Sequence, residues 1–364
     1  MTPAEYPAWL CLKTAPELSH KACLGILEDF PDPAAFVGEP EHPIYRSGLL
    51  KHSTAEHLKA AVLPVNFPQI AQLMKRYDIS CFSITEPAYP AALKEIFAPP
   101  LLLYVRGDLA MALDATCLAV VGTRKTSAYG REICKKVLGP VCERGVTILS
   151  GLAMGIDTIA HHTALQKGTR TIAVLASGLE TIYPSTNLEL AERIIANGAL
   201  ISEYEPGTKV ERWNFPARNR IISALSQAVL IVEGPITSGA LLTAKNAIEQ
   251  NREVFAIPGN INNINAEGPN HLIKHGAALI ANSDDLLANL GLDVESSAQM
   301  VIMPELCEDE QKLYDLLKSE QRAMSFDELL LSTGFPIGRL ATHLTNLELK
   351  GLVEKESGNS FFAM

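Results

Sequence analysis

Cysteine is sparse and scattered in this chain. The seven residues Cys11, Cys23, Cys81, Cys117, Cys134, Cys142 and Cys307 include no Cys-x-x-Cys pair. That spacing argues against a structural zinc site or a disulfide framework and predicts a reducing, cytoplasmic setting. No apolar run approaches the ~20 residues a membrane span needs. The opening stretch MTPAEYPAWLCLKTAPELSH lacks the basic region and apolar core of a secretory signal. The phosphate-binding pattern Gly-x-x-x-x-Gly-Lys-Ser/Thr and the nucleophile elbow Gly-x-Ser-x-Gly are both missing. No carboxylate pair stands out as acid and base, so no catalytic residue, cofactor or metal is expected. A surplus of positive charge is missing too: Lys and Arg number 31 against 41 Asp and Glu, a net charge of −10. Coating of nucleic acid by the whole surface is thereby excluded.

The charge is unevenly spread. Residues 1–114 carry 9 Lys and Arg against 13 Asp and Glu, residues 115–290 carry 16 against 15, and residues 291–364 carry 6 against 13. A local basic groove is therefore expected only in the middle of the chain.

That middle is organised around residues 115–178. Three apolar runs, LAVVGTR, VTILSG and TIAVLASG, each end in a glycine or small polar turn and are separated by segments of helical spacing. Continuous Val/Ile/Leu/Ala runs of this length predict strands buried on both faces, as in a parallel sheet. Strand, helix, strand, helix, strand is a doubly wound α/β unit, whose ligands sit beyond the carboxyl ends of the strands. The pattern continues through ALISEY, AVLIVEG and EVFAIPG to give six or seven mostly parallel strands. Residues 1–80 read as a small helical domain punctuated by Pro and Gly. LLLYV, within 82–108, reads as an added edge strand. Residues 291–300 read as a polar linker, and 301–364 as helix, helix, turn, helix and hairpin, the order of a winged helix.

Candidate site residues collect at the carboxyl ends of the strands. Gly122 permits close backbone approach, Thr123 and Arg124 follow it, and the next helix is expected to offer its N-terminus to a phosphate. Gly151 ends the second strand, and Asp157 beyond it suits a helix cap or a pocket. His161 and His162 lack the second ligand cluster a metal would need. The run Phe215-Pro216-Ala217-Arg218-Asn219-Arg220, beside Trp213, is the sharpest signal. Aromatic faces next to guanidinium groups suit unpaired nucleic acid, whose bases stack and whose phosphates pair. Arg218 or Arg220 has an alternative role, tying loops together through Glu203 or Glu233. Ser238 and Gly239 open another helix, with Thr243 and Lys245 following, and Lys209 and Arg212 add charge from the preceding loop. On this reading Arg124→Ala or Arg218→Ala lowers affinity without unfolding the chain.

These motifs, with YPAALKEIFAPPLLLYVRGD, SGLAMGIDTIAHHTAL, FPARNRIISALS and VEGPITSGALLTAKNAIEQNREVFAIPG, resemble the DprA/Smf family of DNA-processing proteins over residues 82–290. The resemblance implies an extended Rossmann-like fold. It implies a small N-terminal helical domain of the SAM or helix-hairpin-helix kind and a C-terminal winged helix. It further implies a homodimer that is not an enzyme, binds single-stranded DNA, protects incoming DNA in natural transformation and loads the recombinase RecA. The family's DNA pocket maps to Arg124 and to Arg218, Asn219 and Arg220, with Phe215 and Lys245 beside them. The presumed recognition helix carries only Arg339, His343 and Lys350, against Glu348, which points that domain toward protein contact. The alternative is a nucleotide phosphoribohydrolase-type enzyme on a similar fold. Its Pro-Gly-Gly-x-Gly-Thr signature and following Glu are replaced here by Gly234-Pro235-Ile236-Thr237-Ser238-Gly239-Ala240 and Thr243-Ala244.

Overall fold

The computed structural model describes residue 2, residues 4–292 and, further on, 306–320, 322–350, 352–356 and 360–363. The expected linker lies, from residue 293 onward, outside the described residues. The chain forms two compact units, residues 1–293 and 294–364.

The first unit opens with helices α1 (Tyr6–Thr14), α2 (His20–Asp29), α3 (His52–Lys59) and α4 (Phe67–Arg76). Strand β1 (Ser80–Ser83), a short α5 (Ala91–Lys94), β2 (Leu102–Gly107) and α6 (Leu109–Leu113) lead into the alternating part. There β3 (Cys117–Val121), α7 (Ala128–Glu143), β4 (Thr147–Ser150), α8 (Ile156–Gln166) and β5 (Thr171–Val174) follow one another. The series continues with α9 (Leu188–Asn197), β6 (Ala199–Ser202), α10 (Asn214–Ala224), β7 (Ala228–Ile231) and α11 (Gly239–Glu249). It closes with β8 (Glu253–Ala256), α12 (Glu267–Lys274), β9 (Ala278–Leu279) and α13 (Ser283–Asn289).

These strands form one nine-stranded sheet in the order β1-β2-β6-β5-β4-β3-β7-β8-β9. Pairing is parallel from β6 through to β9 and antiparallel only at β1–β2 and β2–β6. The apolar run LLLYV is thus not the edge. The short strand at Ser80–Ser83, which straddles the expected boundary between the helical domain and the segment 82–108, covers it. Every residue of β3 through β7 is buried, which accounts for their unbroken apolar runs. The chain winds outward from β3 to β6, then crosses back through α10 to place β7 on the other side of β3. The loops after β3 and β7 therefore part at a topological switch point, where open α/β sheets bind ligands.

The N-terminal helices pack onto the sheet. Trp9, Leu10, Leu12, Ile26, Phe36, Leu58 and Ile70 share one hydrophobic cluster with Leu103, Val174 and Ile201, and the Tyr6 and Tyr104 hydroxyls meet at 3.0 Å. The opposite face is filled from α7, α8 and α13.

One buried group there makes stability depend on pH. His161 is fully buried, and its Nδ1 lies 2.7 Å from the Thr171 hydroxyl. That hydroxyl gives its own proton to the Ile148 carbonyl, so Nδ1 is the donor. Nε2 is buried with no partner. Burial holds the imidazole pKa down at about 3, below its unfolded value, so its contribution is complete above the unfolded pKa. That stability is lost as pH falls, by up to about 1.4 kcal/mol per pH unit across the window between the two pKa values. Denaturant melts from pH 7 to pH 4 should show this loss, and His161→Asn, which keeps a donor for Thr171, should flatten it.

The second unit holds α14 (Glu308–Glu320), β10 (Met324–Ser325), α15 (Phe326–Thr333), α16 (Ile337–Leu349), β11 (Val353–Glu356) and β12 (Ser360–Ala363). Strand β12 lies between β10 and β11 in a three-stranded sheet. Leu313, Leu317, Leu329, Leu340, Leu344 and Phe361 make a separate core. A capping box on α15, with Ser325 and Glu328 bonding reciprocally, fixes the start of its second helix.

Candidate nucleic-acid interface

A cavity of about 330 Å³ opens at the switch point. Its walls come from the turn after β3 (Gly122, Thr123, Arg124), the start of α10 (Phe215, Arg218, Asn219) and the start of α11 (Ser238, Gly239, Thr243). Asp157 is the one carboxylate in that lining.

Backbone carbonyls and a buried charge hold Arg218 in place. It is 4% exposed. Its Nη1 donates to the carbonyl of Gly151, at 3.0 Å, and to that of Val174. Nε reaches Asn219 Oδ1 at 3.3 Å. Gly151 has to be glycine, because a Cβ there would run into the guanidinium. Burial lowers the Arg218 pKa to about 10; Asp157 opposes this and Arg124 adds to it. Asp157 itself is pushed above the usual carboxylate range by burial, against the pull of Arg218 and of two backbone donors. Those donors are Gly151 N, at 3.1 Å, and Ala153 N, at 3.3 Å. Asp157 therefore ties a loop, and the helix start is left to Gly155.

Arg124 is exposed, and its guanidinium carbon lies over the Phe215 ring, 5.1 Å from the centroid. The Phe215 ring in turn meets Tyr183 at 5.9 Å. Trp213 stands 70% exposed just before α10. The rim of the cavity thus presents stackable surfaces, and Tyr183 is one that sequence reading missed. It sits in a Tyr-Pro turn after β5, and only the fold brings that turn to Phe215.

The N-terminus of α7, expected to receive a phosphate, is already filled. Ser127 Oγ caps Gly130 N at 2.9 Å. The buried Glu233 accepts from Ser127 N, at 3.0 Å, and from its hydroxyl, at 2.5 Å. An internal carboxylate occupies the place an anion would take. The α11 start is different: Ser238 Oγ caps Ala240 N at 3.2 Å, and Ser238 and Gly239 face the cavity. Asn219 Nδ2 donates to the Gly239 carbonyl at 3.3 Å, so one asparagine fixes both Arg218 and this turn.

Arg220 is placed elsewhere. Its guanidinium makes a two-pronged contact with Glu203, at 2.7 and 2.6 Å, and bonds the Ala98 carbonyl. The loop-tying role falls to it, and it is not in the cavity lining. Lys245 is exposed and lies 3.7 Å from Glu249. Lys209 and Arg212 are exposed on the loop before α10. The structure therefore brings together Gly122, Thr123, Arg124, Phe215, Arg218, Asn219, Ser238 and Gly239, with Gly151 behind Arg218. Arg220, Lys209 and Lys245 lie outside the lining. Sequence reading also expects Arg218→Ala to leave folding intact, whereas the burial of Arg218 beside Asp157 predicts a loss of stability.

A doubly wound sheet with a cavity at its switch point places the chain among the open α/β proteins that bind ligands beyond the carboxyl ends of their strands. Comparison with known proteins narrows it: a family model described as "DNA recombination-mediator protein A" matches residues 80–291, and one described as "DprA winged helix domain" matches 302–359. The chain belongs to the DprA/Smf family of DNA-processing proteins. It is 39% identical over 251 residues to the DNA processing protein DprA of Bacillus subtilis, covering 67% of this chain and 84% of that one. The crystal structure of DprA from Streptococcus pneumoniae superposes with a TM-score of 0.67 at 35% identity, covering 79% of this chain and 98% of that one. A Helicobacter pylori DprA structure, reported for its single-stranded DNA binding mode, matches with a TM-score of 0.54 at 31% identity. It covers 59% of this chain and 96% of that one.

Proposed function

We propose that this protein binds single-stranded DNA in the cavity between β3, α10 and α11, protects incoming DNA in natural transformation and loads RecA onto it. The observation that carries the DNA reading is the pairing of Arg218 and Arg124 across one cavity. Arg124 adds to the lowering of the Arg218 pKa, and a phosphate between the two guanidinium groups relieves that repulsion. A base stacks on the Arg124–Phe215–Tyr183 rim, as unpaired strands do on aromatic and guanidinium surfaces. Family membership and the strand-binding Helicobacter relative support the same reading. The protein acts as a homodimer in the cytoplasm and is not an enzyme. None of the described helices is long and apolar enough to cross a membrane.

Anisotropy titration of a labelled oligothymidylate against the matching duplex tests this reading. Single strands should bind more tightly, with affinity falling linearly in log salt. Arg124→Ala should weaken binding roughly tenfold to a hundredfold, the scale of one lost stacking and phosphate contact, with no change in melting because Arg124 is exposed. Equal affinity for duplex, or full affinity in the variant, contradicts the assignment. Release of base from nucleoside monophosphates would favour the phosphoribohydrolase instead. RecA filament formation on single strands, timed with and without the protein, tests the loading step.

A further inference from the structure

A second cluster of side chains lies in the C-terminal unit, apart from the DNA site. Cys307 immediately precedes α14, Glu310 lies within that helix's first turn, and His343 projects from α16. One donor atom from each lies within 4.8 Å of the other two. Cys307 Sγ is 4.0 Å from His343 Nδ1, and Nδ1 is 3.9 Å from Glu310 Oε1.

We propose that Cys307, Glu310 and His343 bind one zinc-like divalent ion that staples α14 to α16. Tetrahedral zinc holds sulfur at about 2.3 Å and nitrogen or oxygen at about 2.0–2.2 Å. Donor atoms around it then stand roughly 3.3–3.6 Å apart, so the sulfur–nitrogen and nitrogen–oxygen separations of 4.0 and 3.9 Å have to close by about half an ångström, and no pair starts beyond 4.8 Å. A thiolate, an imidazole and a carboxylate together select zinc over magnesium or calcium, which take oxygen alone. Cys307 is exposed, so water has access to the fourth position.

The outer partners fit the same purpose. His343 Nε2 is buried without a hydrogen bond and faces Asp309 Oδ2 at 3.5 Å. A metal on Nδ1 fixes the ring proton on Nε2, which then donates to that carboxylate. This is the usual outer arrangement of a metal-bound histidine. Arg339 pairs with the same Asp309. Glu310 Oε2 is taken by Lys350 Nζ, at 2.6 Å, and Cys307 N, at 3.2 Å. Oε1 accepts from Asn346 Nδ2, at 3.0 Å, and an oxygen with one such donor has a second lone pair for a metal. The Lys350 bond is the main cause holding this carboxyl down at about 2. On binding, the Cys307 S–H bond breaks, sulfur bonds the ion through the electron pair left behind, and the proton goes to solvent. No redox step is involved. Arg339 and His343 of α16, with Lys350 just after it, already face Asp309 or Glu310, so the ion would lock the presumed recognition helix against the helix beside it.

Cobalt(II) titration of the full chain tests this. One equivalent should produce a near-ultraviolet thiolate-to-cobalt band with visible bands of tetrahedral intensity, and zinc should abolish both. The other six cysteines are buried, so Cys307→Ser alone should remove the thiolate band. His343→Ala should lower zinc affinity at least a hundredfold, and Asp309→Asn about tenfold to a hundredfold. Cys307→Ser alters an exposed side chain, so it reports even if His343→Ala destabilises the unit. No thiolate band with the native chain, or a band that survives Cys307→Ser, overturns the proposal.

Discussion

Arg218→Ala should both destabilise the protein and abolish binding to single-stranded DNA. Arg218 is 4% exposed and supplies a counter-charge to the buried Asp157. Removing one partner of a buried charge pair leaves the other uncompensated, at about 3–5 kcal/mol. For a unit of this size that is a fall in melting temperature on the order of 10 °C. The carbonyls of Gly151 and Val174 lose their donor as well. The two effects separate in a double variant. Arg218→Ala with Asp157→Asn removes the stranded charge and keeps an oxygen for the N–H groups of Gly151 and Ala153. It should recover roughly half of the lost stability and none of the DNA affinity. Denaturant melts and anisotropy on the same samples read both. If affinity returned together with stability, Arg218 would be scaffold alone. If Arg218→Ala melted like the native chain, the charge pairing would be misdescribed.

The central strands β3 to β7 were legible because burial on both faces writes itself as unbroken apolar runs. β1 was not: its sequence SCFS has too few apolar residues to mark a strand, and it is one only because β2 pairs with it. The site residues were legible as types at strand ends, since chain topology alone brings those ends together. Their division of labour was not. Arg218 and Arg220 are two positions apart on one helix and look alike in sequence. One turns inward to the carbonyls of β5 and its neighbouring loop, and the other turns to Glu203. Glu233 gave no signal that it fills the α7 terminus, because that contact spans more than a hundred residues. The Cys307–His343 pair was hidden because metal-ligand spacing is readable within one turn or loop, and these donors sit on separate elements 36 residues apart.

Gly155→Ala should be as damaging as any change in the site, although Gly155 is not in the cavity lining. Its φ of +85° with ψ of −127° is a conformation that only glycine adopts without strain. A Cβ there would also strike the Thr123 carbonyl oxygen and press on the Arg124 backbone at 2.9 Å. Those neighbours are main chain, with no flexible side chain to move aside. The next residue, Ile156, donates its N–H to the same Thr123 oxygen at 3.3 Å, so this is where the loop after β4 docks onto the loop carrying Arg124. Strain of about 1–3 kcal/mol adds to the clash, for a total of roughly 3 kcal/mol or more, and Arg124 shifts away from Phe215. Gly145→Ala supplies the control. It has φ +80° at the end of α7 with nothing within 4 Å of an added Cβ, so it should cost only about 1 kcal/mol and leave DNA binding intact. The difference between the two variants in melting and in oligonucleotide affinity measures how far the DNA site depends on that docking. Equal losses at both positions would mean that backbone strain alone is responsible and that the Arg124 loop holds its place unaided.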